Sequence, residues 1–403
     1  MTTFLTNGRL PDGTRVDIGV DDSGRIESLG PAQGGTADLD LEGWLVLPAL
    51  GEPHAHLDKA LTADLIPNPR GDLGGAIAAW AEAAATFSEE DIISRASRAL
   101  DRLLVNGATA VRTHVNCSGE FGARAVTAMI EVRDRYTDLV DLQLVALPSR
   151  PLTGEDGRDN RRSLEAAITA GFDVVGGAPH LDPDGEVATR YCLDVAREAR
   201  LPLDLHTDET LDPEVSLLSY LARLVIDTNF DLDVTASHCV SHGMQPESVQ
   251  GDVARLAAEA GIAVVTLPQT NLFLQSRTKR VATPRGLPGI QALRDAGVIV
   301  AAGADNLQDP FNTVGRGDPL ETATLMVMAA HLTPDEALET VSTNVRQALG
   351  LARAGTLVGS HADLLVIDSP TIRSAVADGP GSRKVVRGGR LVAETRTHSV
   401  IHR

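Results

Sequence analysis

The sequence predicts an α/β protein: a (β/α)8 barrel, or TIM barrel, with a small β-sandwich formed by both chain ends. In the middle of the 403-residue chain, eight strand-like runs alternate with helical patterns. Several of these runs are nearly all apolar, as expected for parallel strands buried on both faces. No Gly-rich phosphate loop follows the first run, so an open doubly wound sheet is the less favoured alternative.

The two chain ends share a different pattern of short alternating segments broken by Gly, Asp and Pro. These segments are residues 13–20, 24–30, 362–367 and 384–392. Each end is too short to bury a core alone, so we expect their strands to join one small domain. The predicted domains are a β-sandwich of residues 1–48 and 354–403 and a (β/α)8 barrel of residues 49–353.

The barrel strands are predicted from apolar runs of five or six residues. They are residues 45–50, 109–114, 142–147, 173–177, 202–206, 234–238, 263–267 and 298–303. Helical patterns between them include residues 76–87, 89–105, 164–170 and 251–260. In barrels of this kind the chemistry lies at the carboxyl ends of the strands, so the residues that follow each run are candidates for function.

Composition excludes several classes of function. The net charge of −19 argues against nucleic acid and against an anionic membrane surface, because both require clustered Lys and Arg. The three cysteines are scattered, without Cys-x-x-Cys spacing, and a reducing compartment is expected. No apolar run approaches the roughly 20 residues of a membrane span, and no signal-like segment begins the chain. We therefore expect a cytoplasmic protein.

His54 and His56 directly follow the first predicted strand. In an extended strand, side chains at positions i and i+2 point to the same face. Both imidazoles therefore project toward one point and provide half of a transition-metal site. An isolated His-x-His pair is more often not a metal site. Whether His54 and His56 bind a metal therefore depends on the other residues that the sequence brings to the same place.

Further polar side chains recur where predicted strands end. They are His114, His180, His206, His238 and Asp305. All would face the mouth of the barrel. Packing explains one such histidine but not this number, because buried imidazoles and carboxylates are costly unless they are paired or bind metal.

In this order and spacing, these residues resemble the amidohydrolase superfamily, and within it the cytosine deaminase branch. The similar segments are residues 52–58, 173–180, 206–209, 235–238 and 271–277. Residues 112–116 and the pair Asp58-Lys59 are more similar to the related N-isopropylammelide isopropylamidohydrolases of triazine breakdown. The resemblance extends from the first barrel strand to the C-terminal strands.

The resemblance implies His54, His56, His206 and Asp305 as metal ligands. Three imidazoles and one carboxylate suit Zn²⁺ or Fe²⁺ and leave a position for water. Two-metal relatives carry a bridging carbamylated lysine in the fourth strand, and residues 173–177 contain no Lys. One divalent ion per subunit follows, and the ligand types do not decide between zinc and iron.

The resemblance also assigns proton transfer to Glu209, as the general acid and base between water and substrate. From spacing alone, Glu209 could equally be a solvated loop carboxylate. The isopropylamidohydrolases lack this Glu, so its presence favours a deaminase. His238 would bind the attacking water or the developing oxyanion, and Asp305 could also take the proton of the water.

Three positions depart from the cytosine deaminase pattern. Ser149 stands where that family carries Gln, Asn306 replaces an acid, and Lys59 replaces an uncharged residue. Losing such polar contacts can cost several orders of magnitude toward the old substrate, so cytosine itself is a doubtful substrate. Lys59 would face a carbonyl or anionic group of the ligand, or pair with Asp58 or Asp305.

The two remaining strand-end histidines are less specific. His180 lies in a segment similar to the family, which favours a substrate contact. For His114, a supporting role beside a metal ligand and plain packing are both open.

The predicted function is therefore a metal-dependent aminohydrolase that cleaves an exocyclic C–N bond of a small nitrogen heterocycle and releases ammonia. An alternative keeps the metal and changes the bond, releasing an alkylamine or opening a cyclic amide. A non-catalytic scaffold on the same fold is disfavoured because all four ligands and Glu209 are present. The family also implies a homo-oligomer.

Overall fold

The computed structural model describes residues 2–30 and 38–402. Its strands are β1 (Thr3–Arg9), β2 (Arg15–Val20), β3 (Ile26–Gly30), β4 (Leu39–Asp40), β5 (Leu45–Pro48), β6 (Leu50–Ala55), β7 (Ala108–Asn116), β8 (Asp141–Leu147), β9 (Val174–Gly177), β10 (Leu203–Thr207), β11 (Val234–His238), β12 (Ala263–Thr266), β13 (Val300–Ala302), β14 (Leu364–Ile367), β15 (Arg383–Arg387) and β16 (Arg390–Thr395). Its α-helices are α1 (Leu73–Ala83), α2 (Glu89–Val105), α3 (Gly119–Tyr136), α4 (Arg158–Thr169), α5 (Gly185–Ala199), α6 (Leu217–Asp227), α7 (Glu247–Glu259), α8 (Pro268–Leu274), α9 (Ile290–Asp295), α10 (Pro319–Ala330), α11 (Pro334–Thr340), α12 (Thr343–Ala348) and α13 (Ile372–Asp378).

Strands β6 to β13 form the predicted barrel. They lie side by side in chain order, and all seven neighbouring pairs are parallel. A bridge between Ala55, at the end of β6, and Asp305, just after β13, links the first strand to the last. The carboxyl ends of all eight strands therefore meet at one mouth, and the TIM barrel is confirmed.

Helices cover the outside of the barrel, and α2 shows why. Ser88 caps its first turn by accepting a hydrogen bond from the backbone N–H of Asp91, and three acidic residues follow in that turn, where the helix dipole favours them. Ile92, Ala96 and Leu103 form part of a buried stripe at helical spacing. No helix within residues 2–30 and 38–402 combines the length and the apolar character needed to span a bilayer.

The chain ends form the predicted small β-sandwich. Its sheet has the order β16-β15-β14-β5-β1-β2-β3, with β4 paired to β1. β14 from the C-terminal segment runs antiparallel to β5 from the N-terminal segment, so both ends contribute to one sheet. Leu5, Ile18, Val46 and Leu364 belong to its own buried core, separate from that of the barrel.

The predicted first barrel strand, residues 45–50, is wrong. Leu45–Pro48 is β5 of the sandwich sheet, and the barrel begins at Leu50. Leu45 and Leu47 contact the barrel core, whereas Val46 belongs to the sandwich core. Because two different cores bury the two faces of β5, it is as continuously apolar as a barrel strand.

Other predicted bounds also needed correction. Residues 384–392 form two strands, β15 and β16, joined at Gly388 and Gly389, whose positive φ angles of 53° and 81° suit a tight turn. The other seven barrel strands begin and end within two residues of their predictions. Helices predicted from residues 76, 164 and 251 begin three to six residues earlier, since their first turns lack the apolar pattern.

Candidate active site

Four side chains converge at the mouth of the barrel. His54 lies in β6, His56 follows β6, His206 lies in β10, and Asp305 lies three residues beyond β13. The Nε2 atoms of His56 and His206 are 3.3 Å apart. Asp305 Oδ1 lies 3.3 Å from Nε2 of His56 and 3.7 Å from Nε2 of His54. The structure thus brings together all four residues that the sequence suggested as metal ligands.

This cluster fits a metal ion. His54 Nε2 and Asp305 Oδ1 are buried and lack a hydrogen-bond partner among the described residues. Leaving such atoms unpaired is costly, so they point to a ligand that completes them. Nitrogen atoms of His54, His56 and His206 lie close enough together to hold one ion, as do ligand atoms of His54, His238 and Asp305. The cluster can therefore bind a metal.

The charge states also favour a cation. Burial, and then the nearby positive groups, hold the pKa values of His54, His56 and His206 well below their usual range, so the imidazoles are neutral, as metal ligation requires. Burial, followed by the carboxyl of Glu209, raises the pKa of Asp305 well above its usual range. A cation at the centre of the cluster would relieve this penalty.

A buried hydrogen-bond chain fixes the orientation of His54. Ser237 Oγ donates to Asp204 Oδ1 at 2.9 Å, and Arg112 Nη1 donates to the other oxygen of Asp204 at 2.8 Å. Since the hydroxyl proton of Ser237 is used in this way, its Oγ accepts from His54 Nδ1, 2.9 Å away. The lone pair of His54 Nε2 then faces the cluster, the arrangement expected for a metal-binding histidine.

His114 supports the same ring from one side. The two imidazoles stack with centroids 3.8 Å apart and an angle of 27° between their planes. His114 is fully buried, and its Nε2 lies 3.7 Å from Asp204 Oδ1. His114 also meets the ring of His206 edge-to-face with centroids 4.7 Å apart, and its backbone oxygen lies 3.1 Å from His56 Nδ1. It therefore packs among the imidazoles of the cluster, and it is not among the described residues that line the cavity.

Glu52 holds Asp305 in place, a function that the sequence reasoning missed. Its carboxylate on β6 accepts hydrogen bonds from the backbone N–H of Ala304 at 2.9 Å and of His54 at 3.2 Å. It thereby ties β6 to the segment after β13, where Asp305 has a φ angle of 68°. The only advance signal was a charged residue within the short segment that leads to His54.

Gly303→Ala is expected to destabilise this connection. A Cβ atom at residue 303 would lie 2.2 Å from Glu52 Oε1 and 3.2 Å from Leu267 Cδ2. The contact between β6 and the segment after β13 must therefore open or shift. We expect the free energy of unfolding to fall by about 1–3 kcal/mol, as measured by denaturant unfolding. Gly251→Ala in α7, where the nearest atom is the end of the Arg255 side chain, is the matched control and should cause no loss. Equal stability of both variants would contradict the role of Glu52.

Glu209 lies beside the cluster, two residues after β10. Its Oε1 is 3.8 Å from His238 Nδ1, and His238 Nε2 is 3.9 Å from Asp305 Oδ2. Burial raises the pKa of Glu209 to about 8, and the positive charge of Arg150 opposes this rise. Glu209 is buried and is therefore not a solvated loop residue. A carboxyl group with a pKa near neutrality can both take and give a proton.

Above these groups lies a cavity of about 620 Å³. Lys59, Ser149 and Asn306, three of the predicted substrate contacts, line it. The fourth, His180, is not among its described lining residues, and its Nδ1 lies 3.0 Å from the backbone oxygen of His206. Asn116 and Arg150 line the cavity and were not predicted, although Arg150 directly follows Ser149 in the sequence.

The structure decides between the partners considered for Lys59. Its Nζ donates to Asp58 Oδ1 at 3.0 Å and to Asn116 Oδ1 at 2.8 Å. Asp305 is not within ion-pair distance among the described contacts of Lys59. The ammonium group therefore forms a neutralised pair with Asp58 at the edge of the cavity floor.

Comparisons with known proteins agree with this geometry. A family model described as the amidohydrolase family matches residues 83–393. The chain is 31% identical over 386 residues to a pterin deaminase of Rhizobium rhizogenes, covering 94% of this chain and 88% of that protein. A solved 5-methylcytosine deaminase from Klebsiella pneumoniae, liganded with 5-fluorocytosine, superposes with a TM-score of 0.89 at 29% identity over 99% of both chains. An N-isopropylammelide isopropylaminohydrolase from Burkholderia multivorans superposes with a TM-score of 0.84 at 27% identity, covering 98% of this chain and 99% of that one.

Proposed function

The chain belongs to the amidohydrolase family and is a hydrolase of carbon–nitrogen bonds, and from this premise we propose that it removes an exocyclic amino group from a small nitrogen heterocycle. The observation that carries the proposal is the position of Glu209. A buried carboxyl group with a pKa of about 8 lies on the floor of a ligand-sized cavity, beside a cluster able to bind a metal. Water and an aminated ring carbon would give a carbonyl group and ammonia.

One divalent ion, Zn²⁺ or Fe²⁺, would be held by His54, His56, His206 and Asp305. When bound, such an ion lowers the pKa of a water molecule from about 15.7 to roughly 7. The protein supplies neutral imidazoles and a buried carboxylate for this purpose, and the chain through Ser237 orients one of the rings.

Glu209 moves the proton. As a carboxylate it takes a proton from the attacking water while the new C–O bond forms. It then delivers that proton to the departing nitrogen, so that the C–N bond breaks with ammonia as the leaving group. The remaining proton of the new hydroxyl passes to the ring nitrogen, which leaves the carbonyl. Its pKa near neutrality suits both halves of this transfer.

His238 orients the water. Its Nδ1 donates to Asn271 Oδ1 at 3.2 Å, and burial lowers its pKa to about 3, so the ring is neutral. Its Nε2 is then an acceptor that faces the cluster and can hold a proton of the attacking water. Of the two roles predicted for His238, this arrangement supports contact with water rather than donation to an oxyanion.

The substrate ring would contact Lys59, Ser149 and Asn306. Lys59 donates two of its three ammonium N–H groups to Asp58 and Asn116, and the third would be the donor for a ring carbonyl. Asn306 Nδ2 donates to Asp309 at 2.7 Å, which leaves Asn306 Oδ1 as the atom that can accept from a ring N–H. For His180 we favour a supporting role behind His206, because its Nδ1 contacts the backbone of that residue.

A second candidate is release of an alkylamine from an N-substituted ring. The superposition on the N-isopropylammelide isopropylaminohydrolase supports it. Product analysis separates the two candidates. The metal-loaded enzyme should release ammonia from at least one class among aminopyrimidines, aminopurines, aminopteridines and aminotriazines. Alkylamine release from N-isopropylammelide without ammonia from any class would replace the deaminase proposal with the second candidate.

Arg150→Ala is expected to move the pH profile of kcat/KM. If the carboxylate form of Glu209 is the base, activity rises with pH as Glu209 loses its proton. The guanidinium of Arg150 lowers the pKa of Glu209, so its removal should shift this rise to higher pH. Arg150→Lys keeps the charge and should leave the profile near that of the parent. If the rise of kcat/KM in Arg150→Ala stays at the pH of the parent, or moves to lower pH, Glu209 is not the base that controls it.

A further inference from the structure

One wall of the cavity has no part in the chemistry proposed above. It is formed by α1, which lies in the connection between β6 and α2, and by the turn that follows α1. The residues of this segment that line the cavity are Leu73, Ile77, Trp80, Ala81, Ala84 and Ala85. They recur at the spacing of one helix face, and none carries a charge. We call this set the apolar wall.

Packing of the helix explains only part of the apolar wall. Trp80 and Ala84 belong to the barrel core, and Ala79 and Ala83 on a neighbouring face of α1 pack against the same core. On the cavity side, Leu73 and Ile77 are only half-buried and Ala81 is exposed. Partly exposed apolar side chains gathered in a concave site mark a place that an apolar ligand group covers.

Aromatic rings extend the same surface across the cavity. Phe121, at the start of α3, meets Trp80 edge-to-face with ring centroids 5.1 Å apart. Phe311, in the segment after β13, lines the cavity as well. These elements come from three different strand-to-helix connections of the barrel, the segments that set specificity in this fold.

The apolar wall begins directly beside the polar floor. Lys59 Nζ lies 5.5 Å from the ring centroid of Trp80, and Lys59 is three residues from His56. A ring whose amino group lies over the floor would therefore reach Trp80 as soon as it carries a second ring or a side chain. The cavity volume of about 620 Å³ lies within the range of pockets that hold ligands much larger than one pyrimidine.

We propose that the substrate is an aminated nitrogen heterocycle with an uncharged apolar extension beyond the ring that carries the amino group, and that the apolar wall binds this extension. The inference rests on the proposed aminohydrolase function and narrows its substrate class. A fused second ring and an alkyl side chain share this chemistry, and the test below separates them.

The kinetic test compares matched pairs with the metal-loaded enzyme. Cytosine and isocytosine are paired with the aminoquinazolinones that add a fused benzene ring to each, and with their propyl derivatives. We expect at least one extended member to have a kcat/KM about tenfold or more above that of its single-ring partner. The fused or the propyl member with the larger ratio identifies the form of the extension. Equal values within every pair would overturn the inference.

Two substitutions in α1 locate the effect. Ala81→Trp places a large side chain on the apolar wall itself. It should lower the ratio of kcat/KM between the extended substrate and its single-ring partner to about one. Ala78→Trp places the same side chain on an exposed position of the same helix that does not line the cavity, and should keep the ratio of the parent. The same ratio in both variants would overturn the assignment to this wall.

A binding measurement keeps this inference separate from the catalytic one. The metal-loaded Glu209→Gln variant is titrated with the same pairs by calorimetry. About tenfold tighter binding of an extended member, with no ammonia from the parent enzyme, would keep the apolar wall and overturn the aminohydrolase. Ammonia release with equal affinities and equal kcat/KM values within every pair would keep the aminohydrolase and overturn the role of the apolar wall.

Discussion

His206→Ala is expected to lose its bound metal and, with it, all measurable hydrolysis. His206 Nε2 lies 3.3 Å from His56 Nε2 at the centre of the cluster, and its imidazole is neutral because burial lowers its pKa. Removing one of four ligands should weaken metal binding by more than about 100-fold, since loss of a mere supporting contact already costs 10–100-fold. The measurement is metal content after dialysis, together with kcat/KM.

The control for this variant is His331→Ala. His331 is exposed at the end of α10 and is neither in a group able to hold a metal nor among the described lining residues of the cavity, so its loss should leave both metal content and kcat/KM unchanged. A His206→Ala protein that keeps a full equivalent of metal would contradict the proposed ligand set. A spectrum of native secondary structure excludes unfolding as the cause of metal loss.

Glu209→Gln is expected to lower kcat by about 10²–10⁴-fold while metal content stays at the parent value. Gln has the shape of Glu but cannot accept the proton of the water or return it to the leaving nitrogen. The rise of the pH profile that Glu209 controls should disappear as well. Single-turnover kinetics and metal analysis on the same preparation measure both parts.

Glu214→Gln is the matched control for Glu209→Gln. Glu214 lies five residues further along the same loop and is exposed, so the same loss of charge there should change kcat by less than twofold. If Glu209→Gln kept the activity of the parent, Glu209 would be a structural carboxyl and another group would have to move the proton. Loss of metal in Glu209→Gln would instead give it a role in the cluster.

The arrangement of the ligands could be predicted because strand geometry is local. His54 and His56 point the same way since side chains in strands alternate, and parallel strands bring His206, His238 and Asp305 to the same edge. For a strand that does belong to the barrel, the polar residue at its end can therefore be placed at the mouth from the sequence. The comparisons and the fold support the same family that the motifs resembled.

What the sequence could not give depends on contacts between distant segments. β5 is as apolar as a barrel strand, and only its pairing with β14 shows that it belongs to the other sheet. The function of Glu52 depends on its hydrogen bond with Ala304, which forms only because β13 lies beside β6 in the folded barrel. The choice of Asp58 over Asp305 as partner of Lys59 follows from the way the loop after β6 folds.

The apolar wall shows the same limit in a helix. Residues 76–87 were predicted to be helical from their apolar pattern, yet that pattern does not say which face meets the core and which meets a cavity. Two adjacent apolar faces, one around Ala76 and one around Ile77, read as a single broad stripe. The position of α1 over the mouth of the barrel shows which face packs against the core and which face lines the cavity.

The measurement that tests the central claim most directly uses water labelled with ¹⁸O. The metal-loaded enzyme is incubated with the best aminated heterocycle, and ammonia and the ring product are quantified together by mass spectrometry. We expect one ammonia for each product molecule and one ¹⁸O atom at the carbon that carried the amino group. No ammonia from a metal-replete enzyme across the ring classes, or a product without the label, would contradict the account.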